Sequence, residues 1–159
     1  MSLLALSLAV ALQSAPEAEA SAVVDRLHDM ASAADGPAYF DLFTPDARFI
    51  GTDATERWGV EAFKAYAMPY FSQGKGWTYH PRDRVVTMLD VTCKCVASFD
   101  ELLDNDAYGV TRGSGVLVRT EAGWKIQQYV LSYVVPNEVA RDVTALIRSH
   151  EAAPVAPAP

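Results

Sequence analysis

The sequence is poor in metal-ligating residues and in concentrated positive charge. Of 159 residues, two are cysteines, Cys93 and Cys95, and three are histidines, His28, His80 and His150. The histidines lie far apart in the chain, and the CxC pair has no third ligand nearby, so the spacing of a zinc site is missing. No metal and no cofactor is expected. Lys and Arg number 13 against 20 Asp and Glu, giving a formal net charge of −7, and no stretch gathers the basic residues. Phosphate binding needs a concentrated basic face. Nucleic acid is therefore excluded as an expected partner, and anionic lipid headgroups would repel the chain. Phosphate loops, dinucleotide fingerprints and nucleophile motifs are lacking too. The apolar run Leu3–Leu12 is too short to span a bilayer, so stable membrane insertion is not expected.

That run does have the length of a signal-peptide core, and Ala18 and Ala20 supply small residues at a cleavage site. The usual Lys or Arg ahead of it is missing. The alternative is an N-terminal helix of a cytoplasmic protein. We expect residues 1–20 to be a signal peptide of a periplasmic or secreted protein. One domain would then cover 21–150, with a low-complexity tail at 151–159.

Half of the residues are hydrophobic and 21% are charged, as in a globular domain with a real core. Val23, Leu27, Met30 and Ala34 recur at helical spacing and predict a helix over about 22–34. A short second helix carries Tyr39, Phe40 and Phe43 and stops near "TPD". "ARFIG" reads as a strand and "TDATERWG" as a polar loop. "VEAFKAYAMPYF" places Phe63, Tyr66, Ala67 and Tyr70 on one helical face, with Pro69 expected to kink or end it. Four strands follow, at about 77–89, 92–103, 107–120 and 124–135, and "PNEVARDVTALIRS" predicts a last helix. Helices ahead of an antiparallel meander imply an α+β fold with the helices on one face of a curved sheet. Cys93 and Cys95 fall in a strand, facing one way, and read as small unbonded core residues.

The last strand, "GWKIQQYVLS", carries a glutamine on each of its two apolar faces. Strict alternation puts Trp124, Ile126, Gln128, Val130 and Ser132 on one side, and Lys125, Gln127, Tyr129 and Leu131 on the other. Two apolar faces imply cover on both, by helices and by a second copy of the chain. The hairpin through "EAG" sets Val118 opposite Ile126, Val116 opposite Gln128, Ser114 opposite Val130 and Arg112 opposite Ser132. Arg112, Ser114, Gln128 and Ser132 then share a face. A polar group on an apolar face costs about 1–3 kcal/mol unless it is paired, so the cluster is expected to line a wet cavity. Glu101 is the only charge on its face of "VTCKCVASFDELL". Near Arg112 it would be a buried ion pair or a tuned acid; at a strand end it would turn out to water.

"ARFIGTDATERW", "FKAYAMPYF", "GKGWTYHPRDR", "SFDELL", "RGSGVL" and "GWKIQQYVLSYVVPN", in this order, resemble the SnoaL-like branch of the nuclear transport factor 2-like superfamily. The resemblance covers roughly Val23 to Arg148. It implies a cone, a strongly bent sheet wrapped on helices with a pocket at the open end, and a homodimer through the sheet. Members include ketosteroid isomerases, polyketide cyclases, dehydratases and non-enzymatic association domains, so fold alone does not choose a reaction. The enzymes use a pocket carboxylate with Tyr or acid donors. Here the acids near motif positions are Asp53, Glu56, Asp100 and Glu101, and the donors are Tyr66, Tyr79 and Tyr129. Related domains place a histidine in the last strand, where this chain has Gln128 and Val130. The expected function is binding of an apolar or amphipathic small molecule. Glu101 is the candidate acid. Arg112, Ser114, Gln128, Ser132, Trp58 and Tyr79 are the candidate ligand contacts. An isomerase or cyclase, or an association domain without ligand, are the alternatives. His28 reads as a helix-boundary residue, and His80 as a residue at the cavity mouth.

Overall fold

The computed structural model describes residues 15–152. The apolar run Leu3–Leu12 and the end of the tail lie outside them. The first helix, α1 (Ala15–Ser32), buries Ala20, Val24, Leu27 and Ala31 as one stripe. The Ala20–Ser21 bond lies inside this helix, so processing there would have to precede folding. Asp35 caps the short α2 (Gly36–Phe40), accepting a hydrogen bond from the Ala38 N–H at 3.1 Å, with Pro37 in the first turn. Strand β1 (Phe43–Ile50) begins before the "TPD" expected to end a helix, and "RWG", expected in a loop, is a short strand, β2 (Arg57–Gly59).

In α3 (Val60–Phe71) the residues Phe63, Ala67 and Phe71 face inward. The helix continues through Pro69 by two residues. A proline near a helix end loses one backbone hydrogen bond, and here its own carbonyl accepts from Ser72 Oγ and Gln73 Nε2. Next come β3 (His80–Met88), β4 (Val96–Asn105), β5 (Gly109–Thr120) and β6 (Gly123–Tyr133). A 3₁₀ turn (Asn137–Val139) leads to α4 (Ala140–Glu151), whose Leu146 and Ile147 are exposed. Among the described residues no helix is long and apolar enough to cross a membrane.

The six strands form one sheet in the order β2-β1-β6-β5-β4-β3. Only β1 and β6 pair in parallel; every other neighbour is antiparallel. The sheet is curved and unclosed, with helices against its inner face, so the fold is α+β as the patterning implies. Its core joins α1, α2 and α3 to Phe43, Phe49, Phe99, Leu117, Ile126 and Tyr129.

Two bulges set which side chains point inward. In β6, Val116 faces Gln128 and Leu117 faces Ile126, which leaves Gln127 as an extra residue. Trp124 and Ile126 on one side of the bulge, and Tyr129 and Leu131 on the other, therefore all turn toward the helices. The two apolar registers reflect this bulge rather than two covered faces. Gln127 accepts a hydrogen bond from the buried Thr44 hydroxyl at 3.0 Å. In β3, Arg82 pairs with Leu102 and Val85 with Asp100, so Asp83 and Arg84 together face Glu101. Asp83 takes the left-handed conformation, φ 54°, and this turn aims Arg84 inward.

Cys93 and Cys95 are neither unbonded nor in the core. Residues 89–95 leave the sheet as a turn, Lys94 adopts φ 48°, and the two cysteines form a disulfide. Their Cα atoms are 5.1 Å apart, within bonding range, because the turn replaces the extended spacing assumed from a strand.

Candidate functional site

Glu101 sits at the centre of β4 and is almost wholly buried, at 1% exposure. A bare carboxylate there would be costly. Its partners are not Arg112 but Arg84 and His28. Arg84 Nε donates to Oε2 at 2.7 Å, and His28 Nε2 lies 2.6 Å from Oε1. Arg84 Nη1 continues outward to Asp25 Oδ1 at 2.5 Å and to the carbonyl and hydroxyl oxygens of Ser21, both at 3.1 Å. Burial works against the charge on Arg84. Glu101 and Asp25 outweigh it, and the guanidinium is held above the ordinary arginine value.

One oxygen of the Glu101 carboxyl accepts from Arg84 Nε–H, and the other faces His28 Nε2. Nε2 is the ring nitrogen that Glu101 engages, and Nδ1 is the second. Glu101 orients the ring, and the second nitrogen is left to act as acceptor or base.

The floor is completed by two glycines of β5. Gly113 pairs with Glu101 on one side, and Gly115 pairs with Tyr129 on the other. A Cβ on Gly113 would lie 2.6 Å from the Tyr129 hydroxyl oxygen and 3.0 Å from Glu101 Oε1. The phenol and the carboxylate thus converge over Gly113, where no side chain stands between them. Burial, and next the Glu101 charge, push the Tyr129 phenol well above its usual value, so it stays protonated and is a donor. Its ring stands edge-on to His28, with centroids 6.5 Å apart.

Above this floor lies a cavity of about 130 Å³ whose lining includes His28, Phe49, Phe63, Trp77, Tyr79 and Tyr129. That is close to the size that takes a single benzene ring. The wall rings are nearly parallel. Phe49 lies 14° from Tyr129 and 19° from Phe63, and Trp77 lies 14° from Phe63. The exposed Tyr66 and Tyr108 also line it. On the far side of His28 is a second hollow, of about 470 Å³, lined by Asp25, Asp29, Tyr79 and His80 among others.

The remaining candidates are divided. Tyr79 lines the main cavity, and burial followed by the nearby Tyr108 and Tyr133 pushes its phenol up to about 12. Trp58 stands behind the wall, stacked on Phe63 and Tyr66 at centroid distances of 5.6 and 5.0 Å. Arg112, Ser114, Gln128 and Ser132 do gather, and in the expected register: Arg112 faces Ser132, Ser114 faces Val130 and Val116 faces Gln128. Their face is the one opposite Glu101 and Tyr129, and none of the four lines either hollow. His28 and Arg84 were not among the candidates. His28 belongs to the buried stripe of Val24, Leu27 and Ala31, so its helical spacing was a usable signal. Arg84 depends on the Asp83 bulge, which nothing in the local sequence announces.

Residues 20–136 match the SnoaL-like domain family. The chain belongs to that family. Among solved structures, this SnoaL-like chain resembles a protein of unknown function of the DUF3225 family from Pectobacterium atrosepticum. The two are 20% identical, with 77% of this chain and 94% of that one covered and a TM-score of 0.63. It also resembles a nuclear transport factor 2-like protein of unknown function from Pseudomonas putida, at 14% identity, 80% and 92% coverage and a TM-score of 0.65. A cystatin-like fold protein from Burkholderia xenovorans matches at 22% identity, 78% and 96% coverage and a TM-score of 0.62. At these identities the likeness concerns the fold. No curated protein matches the sequence.

The buried phenols make the SnoaL-like domain sensitive to alkali. Tyr39 and Tyr129 are each 4% exposed, and burial raises both above the ordinary phenol value of about 10. Below pH 10 the folded and unfolded chains hold these protons alike. Above it the unfolded chain releases them and the folded chain does not. Stability should fall with rising pH, by up to about 1.4 kcal/mol per pH unit for each group. Urea midpoints at pH 9, 10 and 11 check this, and Tyr129→Phe should reduce the slope. A flat profile would count against the burial of both hydroxyls.

Proposed function

We propose that the cavity binds an apolar or amphipathic small molecule that presents one planar ring to the aromatic wall and one hydrogen-bonding group to His28. The observation that carries this reading is the His28–Glu101 pair at the base of an aromatic, single-ring cavity. The parallel rings favour a flat occupant, since offset stacking adds to area burial. His28 and the protonated Tyr129 supply an acceptor and a donor at its inner end.

Trp77 in the wall provides the test. Phenol and benzene are titrated against Trp fluorescence and ligand-observed NMR. Phenol is expected to bind more tightly than benzene by about 3–10-fold, the worth of one neutral hydrogen bond. His28→Ala should remove that difference while benzene still binds. Failure of both ligands to bind would overturn the proposal.

A second reading has its own observation. Glu101 engages Nε2 of His28, which leaves Nδ1 to act as a general base, with Tyr129 and Tyr79 as donors to a developing enolate. This would make the protein an isomerase or cyclase acting by proton transfer. Exchange of deuterium from solvent into the α-position of a bound ketone would support it, with loss in His28→Ala; no exchange leaves the binding role alone. We further propose a homodimer through the outer face of the sheet, where Ile50, Val116 and Val130 are only half-buried, and export of the chain. Native mass spectrometry of protein from its own host reads subunit mass, assembly and retained ligand together.

A further inference from the structure

We infer that the Cys93–Cys95 disulfide is a thiol–disulfide exchange site that oxidises external thiols. It lies in the turn joining β3 to β4, at the opposite end of β4 from Tyr108 and the cavity mouth. These are the only two cysteines in the chain, so no rearranged pairing within one chain competes.

Three observations point to exchange rather than to stapling. The ring spans a single residue, and the chain-entropy gain of a disulfide grows with the loop it closes, so this one constrains the unfolded chain little. The turn is also closed without it: Leu89 N–H donates to the Val96 carbonyl at 2.9 Å, and Lys94 N–H to that of Val91 at 3.0 Å. Second, the site is accessible. Cys93 is exposed, Cys95 is half-buried, and Leu89 and Val91 beside them are each 38% exposed, an apolar rim on which a thiol carrier can rest. Third, the oxidised loop holds Lys94 at φ 48°, a backbone region that side-chain-bearing residues seldom adopt. Backbone strain of this kind clusters at functional sites, and the Lys94–Val91 hydrogen bond keeps the turn when the ring opens.

The step balances as two displacements. An external thiolate attacks Sγ of the more exposed Cys93. The Cys93–Cys95 bond breaks, and Cys95 leaves as a thiolate that takes a proton from water. A second external thiolate then attacks the external sulfur of the mixed disulfide and frees Cys93, which is protonated in turn. Two external thiols become one disulfide, and the chain gains two thiols.

The test uses the folded full chain in glutathione buffers of graded ratio, trapped by alkylation and weighed intact. The expected result is reduction without denaturant in a buffer of cytosolic poise, and reoxidation when glutathione disulfide is in excess. Cys95→Ser should accumulate one glutathione per chain on Cys93. Melting of the reduced and oxidised forms should differ by less than about 5 °C. A disulfide that yields only after unfolding would overturn the proposal, as would a reduced form that has lost its fold.

Discussion

Glu101→Ala is expected to lower stability by about 3–5 kcal/mol, the cost of removing one partner from a buried ion pair. Two groups would be left behind. The Arg84 side chain is only 11% exposed, and with Glu101 gone its charge is met by Asp25 at the rim alone. His28 would lose the acceptor for Nε2 at 7% exposure. Among the described residues Arg84 Nη2 is already buried without a hydrogen-bond partner, so the guanidinium has little reserve of hydrogen bonds. Glu101→Gln keeps the shape and loses the charge, and should fall between the two, at about 1–3 kcal/mol. Pairing Glu101→Leu with Arg84→Met should recover much of the loss, because removing both charges leaves neither stranded. Urea unfolding of the three variants reads these values. A loss below about 1 kcal/mol in Glu101→Ala would mean that the carboxylate is not paired as described.

Gly115→Ala is the second large effect, at about 3 kcal/mol or more, the upper range for overpacking. The added Cβ would stand 2.0 Å from the Gln128 carbonyl oxygen and 2.8 Å from Phe99 Cε1. The first of these is backbone in the neighbouring strand. It cannot move without opening the β5–β6 ladder beside the Gln127 bulge. Gly59→Ala is the control, since nothing lies within 4 Å of its added Cβ. Thermal melts should separate the two by roughly 10 °C. Equal melting points would remove the claim that β6 presses on β5 at this position.

The reading of the β6 strand shows what a sequence carries and where it stops. Composition and order of elements were enough for the α+β layout, for the pairing of Arg112 with Ser132, and for Glu101 as the charged group to watch. Side-chain facing then failed at one residue. With a strand period of two, an inserted Gln127 moves everything beyond it to the other face. Gln128 and Ser132 therefore share the outer face with Arg112 and Ser114, and Tyr129 takes the place expected for an amide. The opposed parity of Trp124–Ile126 and Tyr129–Leu131 was the visible trace of the bulge, but it read equally well as a strand covered twice. The partners of Glu101 were hidden for a different reason. His28 is 73 positions away, and Arg84 acts through a left-handed Asp83. Long-range pairing and a single backbone dihedral are set by packing, not by local pattern.

The parallel pairing of β1 with β6 has a consequence for how the chain is made. At ordinary rates of synthesis, β1 leaves the ribosome on the order of ten seconds before β6 can reach it. During that interval β1 has only the three-residue β2 to pair with, and Tyr129 does not yet exist to close the floor. The helices can begin to gather, but the sheet cannot be completed until nearly the whole domain has emerged. Such late, distant pairing is slow to form and exposes apolar surface meanwhile. A nascent chain stopped before residue 123 would carry His28, Arg84 and Glu101 without the strand that joins the two halves of their sheet, and is a natural client for a chaperone.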